Sequence, residues 1–169
     1  SDFNKPQDLF FDATSGHLLV ADTENDRVVV LNESGRILFT IGESGSGLKR
    51  PEGVFVDSEK NIWVADTGNS RVAVFDAQGK FIAEYRKPES DLLAGYDFVP
   101  RKVVVDRRKF IFVGTGSEKN LGVLVMDSTS HFRGFFGRAR VPFNLTRFLS
   151  NLFATEAQRL RMVKVSPAP

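Results

Sequence analysis

Residues 51–81 read PEGVFVDSEKNIWVADTGNSRVAVFDAQGKF. Short runs rich in Val, Ile, Phe and Trp, with the length and period of strands, alternate with clusters of Ser, Asn, Asp and Gly. They predict strands over 53–57, 61–65, 71–75 and 80–85. The breaks Ser58-Glu59-Lys60-Asn61, Thr67-Gly68-Asn69-Ser70 and Ala77-Gln78-Gly79 supply residues that accept positive φ or bond their own backbone, as tight reversals require. Four strands in a meander of about 45 residues are the size of one propeller blade.

The pattern recurs on both sides. Residues 4–42 read NKPQDLFFDATSGHLLVADTENDRVVVLNESGRILFTIG, so that Pro6 aligns with Pro51, Asp12 with Asp57, Ala21-Asp22-Thr23 with Ala65-Asp66-Thr67, and Arg27-Val28 with Arg71-Val72. A third, eroded copy begins at Pro100 with PRKVVVDRRKFIFVGTGSEKNLGVLVMDSTSHFRGFFG. In it Gly114-Thr115 is read at the place of Asp-Thr, and Gly122 at the place of Arg27 and Arg71. The expected organisation is all-β, with four-stranded antiparallel blades at about 4–49, 50–99 and 100–139 of a 1–139 propeller region.

The motif Pro-x-Gly-Val-x-Val-Asp, then Asn-Ile-x-Val-Ala-Asp-Thr-Gly-Asn-x-Arg-Val-x-Val-Phe-Asp, then Gly-x-Phe, resembles the NHL repeat; the likeness is strong over 51–81, good over 6–42 and weak over 100–137. It implies a β-propeller, usually of six blades. Propellers similar to it serve as protein-docking platforms, RNA-binding domains and extracellular sensors, and distant relatives are metal-dependent lactonases and lyases. The resemblance also leans towards an extracytoplasmic bacterial setting, although the opening residues Ser1-Asp2-Phe3-Asn4-Lys5-Pro6 have no signal-peptide character.

Three blades do not close a ring. The chain is therefore expected either to be part of a longer propeller or to pair with copies of itself that complete one. Residues 140–169 leave the blade pattern: Leu145, Phe148, Leu149, Leu152 and Phe153 recur at helical spacing, and Thr155-Glu156-Ala157-Gln158 has capping-box spacing. A helical hairpin is expected there, as a cap or as an insertion leading to a further blade.

The chain of 169 residues contains no Cys, which removes disulfides, thiolate metal sites and cysteine nucleophiles. No apolar run is long enough to span a bilayer. The net charge of +2 hides an asymmetry, because residues 1–99 carry 10 Lys and Arg against 17 Asp and Glu while residues 100–169 carry 13 against 4. His17 and His131 are the only histidines and stand in different repeats without metal-ligand spacing. Nucleophile-elbow and phosphate-loop motifs are missing, and Gly42-Glu43-Ser44-Gly45-Ser46-Gly47 reads as a flexible connection. No catalytic residue, metal ligand or cofactor is assigned.

Asp22 with Arg27, and Asp66 with Arg71, recur blade by blade, so they are read as structural pairs that fix a strand reversal. The ligand-binding candidates are the residues that follow the repeat proline, where the innermost strand of each blade starts: Gln7 and Asp8, Glu52, and Arg101 and Lys102. Their varied chemistry suits one asymmetric ligand, with Arg101 able to fork onto a carboxylate or phosphate. A basic cluster of Arg101, Lys102, Arg107, Arg108 and Lys109 straddles the strand 103–105 and is expected to be split between its ends. The leading expectation is a non-enzymatic scaffold that docks a protein, peptide or carbohydrate at the channel mouth. The alternatives are a metal-dependent lactonase or lyase on a complete ring, with Glu52 or Asp8 as an oxygen ligand, and an RNA-binding domain.

Overall fold

The computed structural model describes residues 2–42, 47–116 and 122–137. They form three four-stranded antiparallel sheets, each a meander in chain order. Blade 1 comprises β1 (Pro6–Asp12), β2 (His17–Asp22), β3 (Arg27–Leu31) and β4 (Ile37–Ile41); blade 2 comprises β5 (Pro51–Val56), β6 (Ile62–Asp66), β7 (Arg71–Phe75) and β8 (Phe81–Tyr85). Blade 3 comprises β9 (Pro100–Val105), β10 (Ile111–Thr115), β11 (Val123–Met126) and β12 (Phe132–Phe136). The first strands of successive blades lie side by side, β1 against β5 and β5 against β9. The helical hairpin read over 140–169, and most of the glycine-rich connection over 42–47, lie outside the described residues.

Side chains on a strand alternate between its faces, and blade 2 uses both. Val54, Ile62, Val64, Ala73 and Phe75 pack on Leu19, Ala21, Val28, Val30 and Ile41 of blade 1. Their neighbours in sequence, Phe55, Trp63, Ala65, Val72 and Val74, pack on Val103, Val105, Ile111, Val113, Leu124 and Met126 of blade 3. A sheet buried on both faces reads as an unbroken apolar run, which is why Ile62-Trp63-Val64-Ala65 shows no polar alternation. On blade 1 the face turned away from blade 2 leaves Leu9 and Phe11 67% and 56% exposed.

The turns share one device. Asp57 Oδ1 accepts the N–H groups of Glu59 and Asn61, both at 2.9 Å, and Asp76, Asp106, Asp127 and Asn32 bond residues two and four positions on in the same way. These short carboxylate or amide loops set the reversals β3–β4, β5–β6, β7–β8, β9–β10 and β11–β12 through local bonds.

Asp12 does more, because it ties two blades together. Its carboxylate accepts Ser15 Oγ at 2.6 Å and Lys60 Nζ of blade 2 at 2.8 Å, at the rim of an interblade cleft of about 260 Å³ floored by Leu19, Val30, Phe39 and Ile62. Burial opposes its ionisation, but the bonds from Lys60, Ser15 and the Thr14 N–H outweigh that and bring its pKa from 3.8 down to about 2. Asp22 and Asp57 are lowered in the same sense, again by hydrogen bonds that outweigh burial. A carboxylate with a depressed folded-state pKa stabilises the fold fully above its unfolded pKa and loses that contribution as pH falls. Thermal stability should therefore drop between about pH 4 and pH 2, and Asp12→Asn should flatten that drop by roughly 2 kcal/mol. A melting temperature that falls equally steeply in the variant would refute the assignment.

Candidate functional site

The repeat proline opens the innermost strand of each blade, and the residue after it is a bulge in all three. Pro6 pairs with Asp22 and Asp8 with Ala21, Pro51 with Asp66 and Gly53 with Ala65, and Pro100 with Thr115 and Lys102 with Gly114. Gln7, Glu52 and Arg101 are thus the extra residues, and a bulge turns its side chain out of the regular alternation. The backbone just before is also shaped: Lys5 and Arg50 take φ values of 47° and 48°, in the left-handed region that costs a non-glycine residue energy. At Arg50 the strained turn is held by its N–H, which donates to Asp26 Oδ1 at 2.7 Å.

The structure brings four of the five rim candidates together. Asp8 of blade 1 accepts the Val54 N–H of blade 2 at 2.9 Å and forms an ion pair with Lys102 of blade 3. Glu52 of blade 2 pairs with Arg101 of blade 3, Nε to Oε2 at 3.3 Å. Gln7 stands exposed on β1 and is not part of these pairs. β5 and β9 approach too closely for a side chain at Gly53, where a Cβ would lie 2.4 Å from the Arg101 carbonyl oxygen and 3.1 Å from Lys102 Cα.

Asp22 and Asp66 sit at the same end of the blades, fully buried. Asp66 Oδ2 accepts Arg71 Nε at 2.6 Å and Asn69 Nδ2 at 2.9 Å, while Oδ1 accepts the Lys49 N–H at 2.7 Å. Asp22 bonds Arg27, Asn25 and the Asn4 N–H in the same arrangement. Each carboxylate therefore ties its strand turn to the segment leading into its own blade. The threonine that follows acts on the next blade: Thr23 Oγ1 donates to the Pro51 carbonyl at 2.7 Å, and Thr67 Oγ1 to the Pro100 carbonyl at 2.6 Å.

The third copy is offset from its sequence alignment by one residue. Ile111 pairs with Val105 as Ile62 does with Val56, so Thr115, not Gly114, occupies the place of Asp22 and Asp66, and Gly116 occupies the place of Thr23 and Thr67. The order Val113-Gly114-Thr115-Gly116 contains a Thr that invites pairing with the wrong Thr, whereas the strand register leaves one choice. Thr115 Oγ1 meets the Tyr96 hydroxyl at 2.6 Å in a buried bond, so a tyrosine from the leading segment does what a backbone N–H does in the other blades. Neither Tyr96 nor Gly116 carries a motif that the sequence alone would mark.

The basic cluster is divided as expected, with Arg101 and Lys102 at one end of β9 and Arg107, Arg108 and Lys109 in the turn at the other. Arg108 pairs with Asp106, and Lys109 with Asp57 and Glu59. His131 is exposed and bonded to Thr129, and His17 lines the interblade cleft on the opposite end of the blades from the rim.

A profile of the SMP-30/gluconolactonase/LRE-like region matches residues 3–95. The chain belongs to this family. The match is to this family and not to the NHL repeat. A search of curated proteins gave no match. Among solved structures, the chain is similar to the hydrazine synthase of Kuenenia stuttgartiensis at a TM-score of 0.61 and 14% identity, over 79% of this chain and 36% of that one. It is similar to the virginiamycin B lyase of Staphylococcus aureus solved with quinupristin at a TM-score of 0.60 and 14% identity, over 82% and 42%, and to a streptogramin B lyase at 0.59 and 16%, over 76% and 39%. At such identities the likeness establishes the fold, and the chain spans only about two fifths of each of these structures.

A catalytic metal site needs three converging donors. Among the described residues no three of His, Cys, Asp and Glu gather in that way. The two rim carboxylates, Asp8 and Glu52, are each engaged by a cation of the chain itself. Among the described residues there is also no helix long and apolar enough to cross a membrane.

Proposed function

We propose that this chain is the binding segment of a propeller scaffold, docking a peptide, protein or carbohydrate at the rim formed by the bulged starts of β1, β5 and β9. The observation that carries this reading is the coincidence of three bulges at one end of adjacent inner strands, each aiming a different side chain, Gln7, Glu52 or Arg101, out of the sheet. A rigid repeated framework presenting dissimilar polar groups is the usual arrangement for recognition without covalent chemistry. Glycan and peptide arrays screened with the chain, followed by calorimetry on the best hit, provide the test. Gln7→Ala and Arg101→Ala should each weaken binding several-fold, consistent with loss of a polar contact, while melting temperature stays nearly unchanged. Hits whose affinity ignores both substitutions would discard the rim as the binding face.

A second reading, lactone hydrolysis or lyase chemistry on a complete ring, draws support from the family membership. In that case added Ca²⁺, Mn²⁺ or Zn²⁺ should raise the melting temperature in a saturable manner. Ring completion by a second copy would show as a dimer mass in solution.

A further inference from the structure

We propose that the rim is built to receive an anionic group, a carboxylate or phosphate, with Arg101 and Lys102 standing where a bound cation would otherwise neutralise Asp8 and Glu52; this rests on the reading of the rim as the binding face and names its ligand class. The charges are layered. Asp8 and Glu52 are only 13% and 15% exposed, whereas Lys102 and Arg101, which cover them, are 58% and 57% exposed. A ligand approaching the rim meets the two cations first, although the four charges sum to zero. Asp8 is fixed from beneath by the Val54 N–H, so its pairing with Lys102 holds the ammonium in place and leaves its outward donors accessible. The guanidinium of Arg101 presents donors in a planar fork, one edge of which is used by Glu52.

A separate feature gives the Arg101 side chain its room. Blades 1 and 2 carry Thr23 and Thr67 one residue beyond the strand position that pairs with the repeat proline, and blade 3 carries Gly116 there. A Cβ at Gly116 would lie 2.0 Å from Arg101 Nε and 2.6 Å from its Cζ. The side chain of Arg101 runs through the space that a threonine would fill. Blade 3 thus lacks the interblade hydroxyl of its neighbours at the one position where the guanidinium needs room.

The test is a titration of the ¹⁵N-labelled chain with inorganic phosphate, citrate, glucose and CaCl₂, followed through the amides of Gly53, Val54 and Lys102. Phosphate or citrate should shift these amides in a saturable way, the one that binds assigning phosphate or carboxylate, and CaCl₂ and glucose should not. The double variant Arg101→Gln/Lys102→Gln should lose at least about tenfold in anion affinity and gain Ca²⁺-dependent shifts, because Asp8 and Glu52 are then released. Gly116→Thr, which displaces Arg101 while keeping every charge, should weaken anion binding alone and guards against a double variant that misfolds. Saturable Ca²⁺ shifts in the wild type, or no response to either anion, would overturn the inference. A neutral saccharide that shifts the same amides, unaffected by the double variant, would overturn the anion preference and leave the rim as a binding face. Shifts confined to residues away from the rim would overturn both readings.

Discussion

Asp66→Ala should destabilise the chain by about 3 kcal/mol, the lower end of the loss measured when one partner of a buried ion pair is removed, because Arg71 keeps a second carboxylate in Glu84. Asp66 is fully buried and satisfies Arg71, Asn69 and the Lys49 N–H together. Its removal takes from a largely buried guanidinium one of its two carboxylate partners, Glu84 at 2.7 Å being the other, and leaves the Lys49 N–H of the segment leading into blade 2 without its acceptor. A loss of that size is a large fraction of the stability of a typical domain. Chemical denaturation followed by circular dichroism measures it directly. In a double-mutant cycle Asp66→Ala and Arg71→Ala should be strongly non-additive, since each exposes the same vacancy. Additive effects, or a single-variant loss below about 1 kcal/mol, would mean that the pair behaves like a surface salt bridge and does not anchor the blade.

Trp63→Ala should cost about as much, roughly 3–5 kcal/mol, by the cavity left when a large aromatic is deleted from a packed interface. Trp63 stacks on Tyr85 at 5.5 Å between ring centroids, donates its Nε1 hydrogen to Asp57 Oδ2 at 3.0 Å, and packs in the core shared by blades 2 and 3. Trp63→Phe separates the parts, because it keeps most of the apolar volume and removes only the hydrogen bond, with an expected loss nearer 1–2 kcal/mol. Since Trp63 is the only tryptophan, wild-type fluorescence reports on this interblade core during unfolding. If Trp63→Ala and Trp63→Phe melted together, the packing contribution would be absent and the interface looser than the described contacts require.

The blades were legible because each strand run is bounded by turn residues that act locally. The expected strands at 53–57, 61–65, 71–75 and 80–85 fall within two residues of β5 to β8. Pro51, Glu52 and Asp66 fall outside the expected runs, the first two because a bulge after proline has no apolar signature. What stayed hidden was whatever depends on one side chain meeting another blade. Asp8 and Lys102 are 94 positions apart and Thr23 and Pro51 are 28 apart, and no periodicity links them. The recurring Asp and Arg could be read as a pair from repetition alone, but the leading-segment amides that complete their hydrogen bonding belong to Asn4 and Lys49, whose side-chain types are irrelevant to that role. Likewise the one-residue slip in the third copy was invisible until strand pairing counted positions from Ile111.

The hydroxyls of Thr23 and Thr67 end on main-chain carbonyls, so each latch asks nothing of the neighbour's side chains. A unit copied in tandem arrives with its own half of the fastening and finds the other half in any chain that follows. Growth by duplication therefore needs no matched second change, and the side chains facing one another at that point are free to differ.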